Sequence, residues 1–318
     1  MGEVLTDKCC LITGGGGFIG SHLIEAFLSD GWYVKVLDCF FGKDNLSPIS
    51  AKLEYVKGNF GDKILLKKIL PGVDVLLHLA STTTPAMAYG RSAFDVESNL
   101  IGTLHLLEES LRHGVNRVIF PSSGGTVYGK VERTPITEKH PTRPISSHGI
   151  IKLAIENYIQ MLSHEKGLKY TILRIANPYG PRQRPDASQG AVAVFTGKIM
   201  RNEKVELWGN GTVVRDFIYI DDLVSAVLSA IHAKESVNQI LNIGSGDGVS
   251  VLKLLSLIEQ ATGRTAMIDF KPARDFDVPV NILSIERAKS KLSWAPNVSL
   301  ETGISNTIPW IENYLRCS

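Results

Sequence analysis

Residues 11–28 read LITGGGGFIGSHLIEAFL. An apolar, β-branched run stops at four consecutive glycines, and a helix-like segment begins at once. Gly14, Gly17 and Gly20 stand three apart across that junction. Glycine there lets the turn close and lets backbone N–H groups approach a pyrophosphate at the N-terminus of the helix. A glycine-rich turn alone is a weak signal, and its position gives it weight. It joins the first strand-like run to the first helix, and the next strand-like run, YVKVLD, ends in Asp38, placed to hold ribose hydroxyls. An acidic side chain at that point repels a 2′-phosphate, which favours NAD over NADP.

Working outward, the chain alternates apolar runs with amphipathic stretches. CCLIT, YVKVLD, LEYVKG, VDVLLHLA, RVIFPSS and KYTILRIAN are short runs, and residues 20–30, 97–113 and 149–165 carry helical periodicity between them. Runs of that kind, each followed by a helix, predict an α/β fold with a doubly wound parallel sheet covered on both faces. Beyond Asn177 the rhythm breaks. Pro and Gly thicken in NPYGPRQRPDASQG, a helix-like 190–201 follows, and then VELWGNGTVVRDFIYIDD. The expected division is a dinucleotide-binding domain over 1–178, with about 213–243 returning to it, and a smaller C-terminal α/β substrate-binding lobe over 179–318.

Composition narrows the partners. The 318 residues hold 34 Lys and Arg against 32 Asp and Glu, a formal charge of +2, with both signs scattered. No basic face for nucleic acid or a membrane surface is implied, so an anionic ligand must be met by a few placed side chains. No signal-peptide pattern opens the chain and no apolar run nears the roughly 20 residues of a membrane helix, which points to the cytoplasm. Cys9, Cys10, Cys39 and Cys317 show no metal-ligand spacing; the first three read as core residues.

Further motifs fall in a fixed order. After the glycine turn come HLAS at 78–81, NLIGT at 99–103, SSGGTVYG at 122–129, Lys152, LRIANPYGPRQ at 173–183, RDFIYIDD at 215–222 and ARDFDVP at 273–279. Together they resemble the extended short-chain dehydrogenase/reductase family in its nucleotide-sugar epimerase/dehydratase branch, over nearly the whole chain. The resemblance implies a Rossmann-type sheet and NAD. Gly14, Gly17, Phe18, Ile19 and Gly20 would line the pyrophosphate, Asp38 the ribose, and Asn59 and Phe60 the adenine, although the family more often has Asp at position 59. Leu79, Ala80 and Ser81 would pass beneath the cofactor, with Asn99 and Ser122 on its side and Lys152 on the nicotinamide ribose. Asn177, Arg215 and Arg274 would meet the diphosphate of a UDP-sugar, with Asp277 beside it and backbone near Leu207 at the uracil. A guanidinium suits that task because its planar fork pairs two phosphate oxygens. Each Arg has a plainer reading in a structural ion pair, Arg215 with Asp216 for instance.

The SSGGTVYG segment bears on the reaction. By the same resemblance, 4,6-dehydratases carry an acid pair before Val-Tyr-Gly, where this chain has Gly125 and Thr126, and the related decarboxylases usually carry Glu at Thr126. What is left is removal of hydride from C4, rotation of the 4-keto sugar and return of hydride to its other face, which is C4 epimerisation. The Ser/Thr that assists lies most often at Gly124, so Ser123 or Thr126 must serve, with Thr126 preferred.

The family pattern Tyr-x-x-x-Lys appears here as His148-Gly-Ile-Ile-Lys152. A spacing of four puts both side chains on one helical face. Neutral imidazole can accept a proton, but it reaches roughly 2 Å less far from the backbone than a tyrosine hydroxyl. Three readings stand: a working base aided by water, a weak or silent binder of the same ligands, or a replacement in an otherwise ordinary epimerase. Thr82, Thr83 and Thr84 read equally as contacts to sugar hydroxyls and as caps of the next helix. Asn281, where simple hexose epimerases carry a bulky Tyr, leaves room for an N-acetyl group, so UDP-N-acetylhexosamine stands beside UDP-glucose and UDP-galactose, with a uronic acid sugar also open. The resemblance also implies a homodimer through a four-helix bundle of 97–113 and 149–165. The stripes Leu104, Leu107, Leu111 and Leu153, Tyr158, Leu162 fit that, and fit burial against their own sheet as well.

Overall fold

A computed structural model describes residues 8–41, 50–83, 92–273 and 278–317. The predicted runs form strands β1 (Cys9–Thr13), β2 (Tyr33–Asp38), β3 (Leu53–Lys57), β4 (Val75–His78), β5 (Arg117–Ser123) and β6 (Lys169–Ile175). Between them lie helices α1 (Phe18–Ser29) and α2 (Lys63–Ile69), then α3 (Ser92–Asp95), which passes through a π-helical stretch, Val96–Ile101, into α4 (Gly102–Arg112). Helix α5 (Ser147–Lys166) follows β5.

The chain divides into two compact units: residues 1–122, 151–173 and 230–240, and residues 123–150, 174–229 and 241–318. In the first, β1 pairs in parallel with β2 on one side and β4 on the other, and β2 with β3. The full sheet has seven strands in the order β11-β6-β5-β4-β1-β2-β3, where β11 is Gln239–Ile243. This is the doubly wound order that the sequence predicts, with its switch point between β1 and β4. All five residues of β1 and all four of β4 are buried, which is why neither run shows polar alternation.

The second unit is built from smaller sheets. Strand β7 (Asn177–Tyr179) pairs with β10 (Phe217–Tyr219), β8 (Lys204–Trp208) with β13 (Met267–Lys271), and β9 (Val214–Arg215) with β12 (Val249–Ser250) and β14 (Val280–Asn281). Two buried carboxylates of the RDFIYIDD motif tie these pieces. Asp216 accepts from Ser245 N at 2.8 Å, Ser245 Oγ at 2.7 Å and Leu283 N at 3.2 Å; Asp222 accepts from Asn297 N at 2.9 Å and Val298 N at 3.0 Å. Loop amides that a strand would have paired are thus satisfied by side chains. Burial raises the pKa of Asp216 in spite of these donors.

The two stripes assigned to a helix bundle divide. Leu107 is wholly buried, and Leu111 and Leu162 pack against the core of their own sheet, whereas Tyr158 stays exposed, as do Ile101 and Met161 outside the stripes. Among the described residues no helix is long and apolar enough to cross a membrane, and no cluster of His, Cys, Asp and Glu has a metal-binding arrangement.

Candidate active site

In the first unit the glycine turn lies at the carboxyl end of β1. Its closure depends on missing side chains: a Cβ on Gly14, at φ +75°, would sit 2.7 Å from Ala80 N, and one on Gly20 would sit 2.5 Å from Gly14 O. Gly17 differs. A Cβ there meets only Gly14 O, at 3.3 Å, so its outer side is open, and no side chain caps the N-terminus of α1 that it begins. Phe18 and Ile19, both half-buried, form the first helical turn. Asp38 takes Gly16 N at 2.9 Å and Phe40 N at 3.1 Å, one on each oxygen. A carboxylate offers about four lone-pair sites, so acceptors for two ribose hydroxyls are still available. This turn fits a dinucleotide. Asn59 braces the next loop, its Oδ1 accepting from Gly61 N at 2.8 Å. The Phe60 ring packs in the core, edge-on to His78 and against Gly102, which leaves only its backbone to line a ligand.

A chain of buried hydrogen bonds supports the loop after β4. His78 joins Thr13 Oγ1 through Nδ1 at 2.7 Å and Thr103 Oγ1 through Nε2 at 2.8 Å. Burial, with Lys152 adding to it, lowers its pKa to about 3. Leu79 and Ala80 are half-buried, and Ala80 N reaches Thr13 Oγ1 at 3.4 Å. Ser81 donates to Thr83 O, and Thr82 Oγ1 meets Ser98 Oγ at 2.7 Å. The Thr83 hydroxyl and the Asn99 amide both donate to Asp95 Oδ1, at 2.6 and 2.7 Å, while Asn99 Oδ1 accepts from Thr82 N. Thr83 and Asn99 therefore hold this loop to the π-helical stretch. The Thr83 hydroxyl is thus engaged with Asp95 and Asn99, and that of Thr82 with Ser98; Thr84 lies outside the described residues.

Helix α5 carries the central pair. His148 is half-buried in its first turn, and Lys152 follows one turn later. Lys152 Nζ donates to Pro121 O at 2.9 Å and lies 4.7 Å from the centre of the Phe120 ring. Burial brings its pKa down to about 8, against an opposing pull from Glu156. One turn further on, Glu156 is 0% exposed and accepts from Ser122 Oγ at 2.5 Å. Neither Glu156 nor His78 stands out in the sequence as a candidate. The available signal for Glu156 is its register, four residues after Lys152 and between the inward-facing Ile155 and Ile159.

In the second unit, Ser123 O accepts from Thr126 N and Val127 N, turning the chain so that the Thr126 carbonyl packs on α5, where a Cβ on Gly149 would lie 2.8 Å from it. Thr126 Oγ1 is buried and has no hydrogen-bond partner among the described residues. Gly124 is pinned by Asn281 Nδ2, which donates to its carbonyl at 3.1 Å, and Asn281 Oδ1 is likewise buried without a partner. Asn177 Nδ2 donates to Asp216 O at 2.8 Å. Arg215 Nη1 donates to the carbonyls of Val214 and Val278, at 2.9 and 2.6 Å, while Asp216 faces Ser245 and Leu283. The Leu207 side chain is buried and its backbone lies in the β8–β13 pair opposite Phe270. Arg274 and Asp277 lie outside the described residues.

Comparison with known proteins agrees on the family. Residues 10–244 match the NAD dependent epimerase/dehydratase family. A putative UDP-glucose 4-epimerase of Methanocaldococcus jannaschii is 34% identical over 309 residues, 96% of this chain and 99% of that one. The crystal structure of the Thermotoga maritima UDP-glucose 4-epimerase with UDP-glucose superposes with a TM-score of 0.92 at 38% identity, covering 96% of this chain and 99% of the other. The Thermus thermophilus UDP-glucose 4-epimerase in complex with NAD gives 0.88 at 31% identity, covering 96% and 99%.

Proposed function

The chain belongs to the NAD-dependent epimerase/dehydratase family, and on that footing we propose that it interconverts the C4 epimers of a UDP-sugar through a 4-keto sugar. One observation carries the reading: Thr126 Oγ1 is buried without a partner among the described residues, in a segment packed on the first turn of the helix that bears His148 and Lys152. A hydroxyl left so costs about 1–3 kcal/mol, and a ligand hydroxyl accounts for it. Gly125 and Thr126 also occupy the places where a dehydratase needs two acids.

NAD, when bound, supplies the hydride acceptor and donor at C4. The chain's own residues orient the sugar and move its proton. Thr126 holds the 4-hydroxyl, and neutral His148 takes the hydroxyl proton and later gives it back. Lys152, one helical turn further along α5, meets the nicotinamide ribose. Arg215, with Arg274 and Asn177, holds the diphosphate, so the keto sugar turns while its tether stays fixed.

The shorter reach of histidine favours a second reading, a weak or silent binder of the same ligands, because misplacing a reacting group by about 1 Å can cost on the order of 100-fold. A bridging water closes part of that gap. Incubation with UDP-glucose, UDP-galactose, UDP-N-acetylglucosamine and UDP-glucuronate, followed by separation of C4 isomers, decides between them. Turnover is expected with at least one pair, and faster in His148→Tyr. If neither form converts a sugar nucleotide that calorimetry shows it binds, the epimerase reading fails.

Asn281 leaves room at the sugar's C2 substituent, so the 2-acetamido pair and the glucose/galactose pair are both assigned to the test set. We also assign a homodimer to the exposed apolar side chains Ile101, at the end of the π-helical stretch, and Tyr158 and Met161, on α5.

A further inference from the structure

Glu156 is a carboxylate with no exposed surface. Removing a charge from water costs several kcal/mol unless partners compensate, so its place in the core calls for a physical reason. It lies one helical turn from Lys152, whose Nζ is seated on Pro121 O above the Phe120 ring, and it holds Ser122 Oγ at 2.5 Å in the residue after Pro121. Two consecutive residues of β5 are thereby fixed to two residues of α5, one through a cation and one through an anion. His78, the other titratable group near this cluster from β4, is neutral over the working pH range because burial keeps its pKa at about 3. His148 lies on the same helix, one turn before Lys152. Glu156 is the anion that favours the charged form of Lys152.

Resting on the proposed function, we propose that Glu156 is a positioning residue: its buried charge keeps Lys152 in its ammonium form on the Pro121 carbonyl and fixes the Ser122 hydroxyl beside it. The physical basis is the spacing of four that puts both side chains on one face of α5, each tied to one of two consecutive residues of β5; the charge balance on Lys152 points the same way. Burial pulls its pKa down to about 8, close to the cell's pH, and Glu156 is the opposing influence. Without that anion the lysine loses its proton near neutrality, and with it the charge that meets a ribose.

Glu156→Gln keeps shape and a hydrogen-bonding group for Ser122 while removing the charge. The dissociation constant of NAD is measured by calorimetry from pH 6 to pH 9, for this variant and the unmodified protein. If the variant lowers the lysine pKa by one unit, the ratio of the two constants rises from about 1 at pH 6 to about 8 at pH 8.5. The same substitution made on Lys152→Arg, whose guanidinium stays charged, should give a ratio that does not change with pH. A loss that is the same at every pH, or one as pH-dependent on the Arg background as on the Lys background, overturns the proposal in favour of plain packing. Should Glu156→Gln not fold, Glu156→Asp keeps the charge and is expected to leave the pH dependence of NAD affinity in place; a displaced dependence there overturns it equally. If the unmodified protein binds no NAD at any pH, the functional reading itself falls.

Discussion

The backbone N–H of Gly16 donates to the Asp38 carboxylate at 2.9 Å, tying the end of β2 to the turn that leaves β1. The same carboxylate takes Phe40 N, so Asp38 shapes the loop as well as presenting charge. Replacing it with Ala removes both braces and the acidic group to which we assign discrimination against a 2′-phosphate. Asp38→Ala is expected to weaken NAD binding by about 10-fold or more, and to narrow the preference over NADP, as each lost charged hydrogen bond is worth roughly 1.5–3 kcal/mol. Parallel titrations with NAD and NADP check this; an unchanged ratio of the two affinities removes the ribose role from Asp38.

Thr126 and Asn281 both present buried oxygens without partners in one small region, but only Thr126 belongs to the segment packed against the first turn of α5. Thr126→Val keeps the shape and deletes the hydroxyl. If that hydroxyl serves a sugar, turnover falls by about 10- to 100-fold while stability holds or rises by up to about 1 kcal/mol, since an unsatisfied polar group has been removed. Chemical denaturation and initial rates on one preparation test both halves. Loss of stability alongside activity assigns the hydroxyl to the fold.

The core of this fold is legible because strands buried on both faces leave no alternation to misread: CCLIT and VDVLLHLA can only be central. The stretch 97–113 shows where periodicity fails. It reads as a single amphipathic helix, yet the chain inserts a π-helical stretch at Val96–Ile101, and Asn99 inside it reaches Asp95 and Thr83. One extra residue per turn leaves no mark in a 3.6-residue pattern. Glu156 is hidden for another reason. A carboxylate on a helix ordinarily reads as solvated, and only the coordinates put it beneath the surface with Ser122. The stripes are ambiguous for a third reason, since Leu107 and Tyr158 both read as apolar stripe positions and one is buried while the other is exposed.

That outward face gives a prediction. Tyr158 and Met161 lie three apart on α5, both exposed, and Ile101 is exposed at the end of the π-helical stretch that leads into α4. If these side chains are covered by a second copy, a charge among them opposes association without touching the core. Met161→Glu, alone or with Tyr158→Glu, is expected to sediment as a monomer at concentrations where the unmodified protein is a dimer, with an unchanged circular dichroism spectrum. Equal sedimentation of all forms discards this face as the interface.

His78 sets an acid limit on the folded state. Its ring is held between Thr13 and Thr103, and burial lowers its pKa to about 3, against 6.5 for an ordinary histidine. Between those values the unfolded chain takes up a proton that the folded chain refuses, so stability present above pH 6.5 is lost progressively as the pH falls toward 3. At pH 5 the loss from this group is about 2 kcal/mol. Denaturant titrations at pH 7 and pH 5 should show that decrement in the unmodified protein. His78→Asn starts lower at pH 7, because it cannot span both threonines, and its further loss on going to pH 5 should be smaller by about the same 2 kcal/mol. An identical acid decrement in both proteins means the proton is taken up elsewhere, and the imidazole is then a spacer in the polar chain and not its acid-sensitive link.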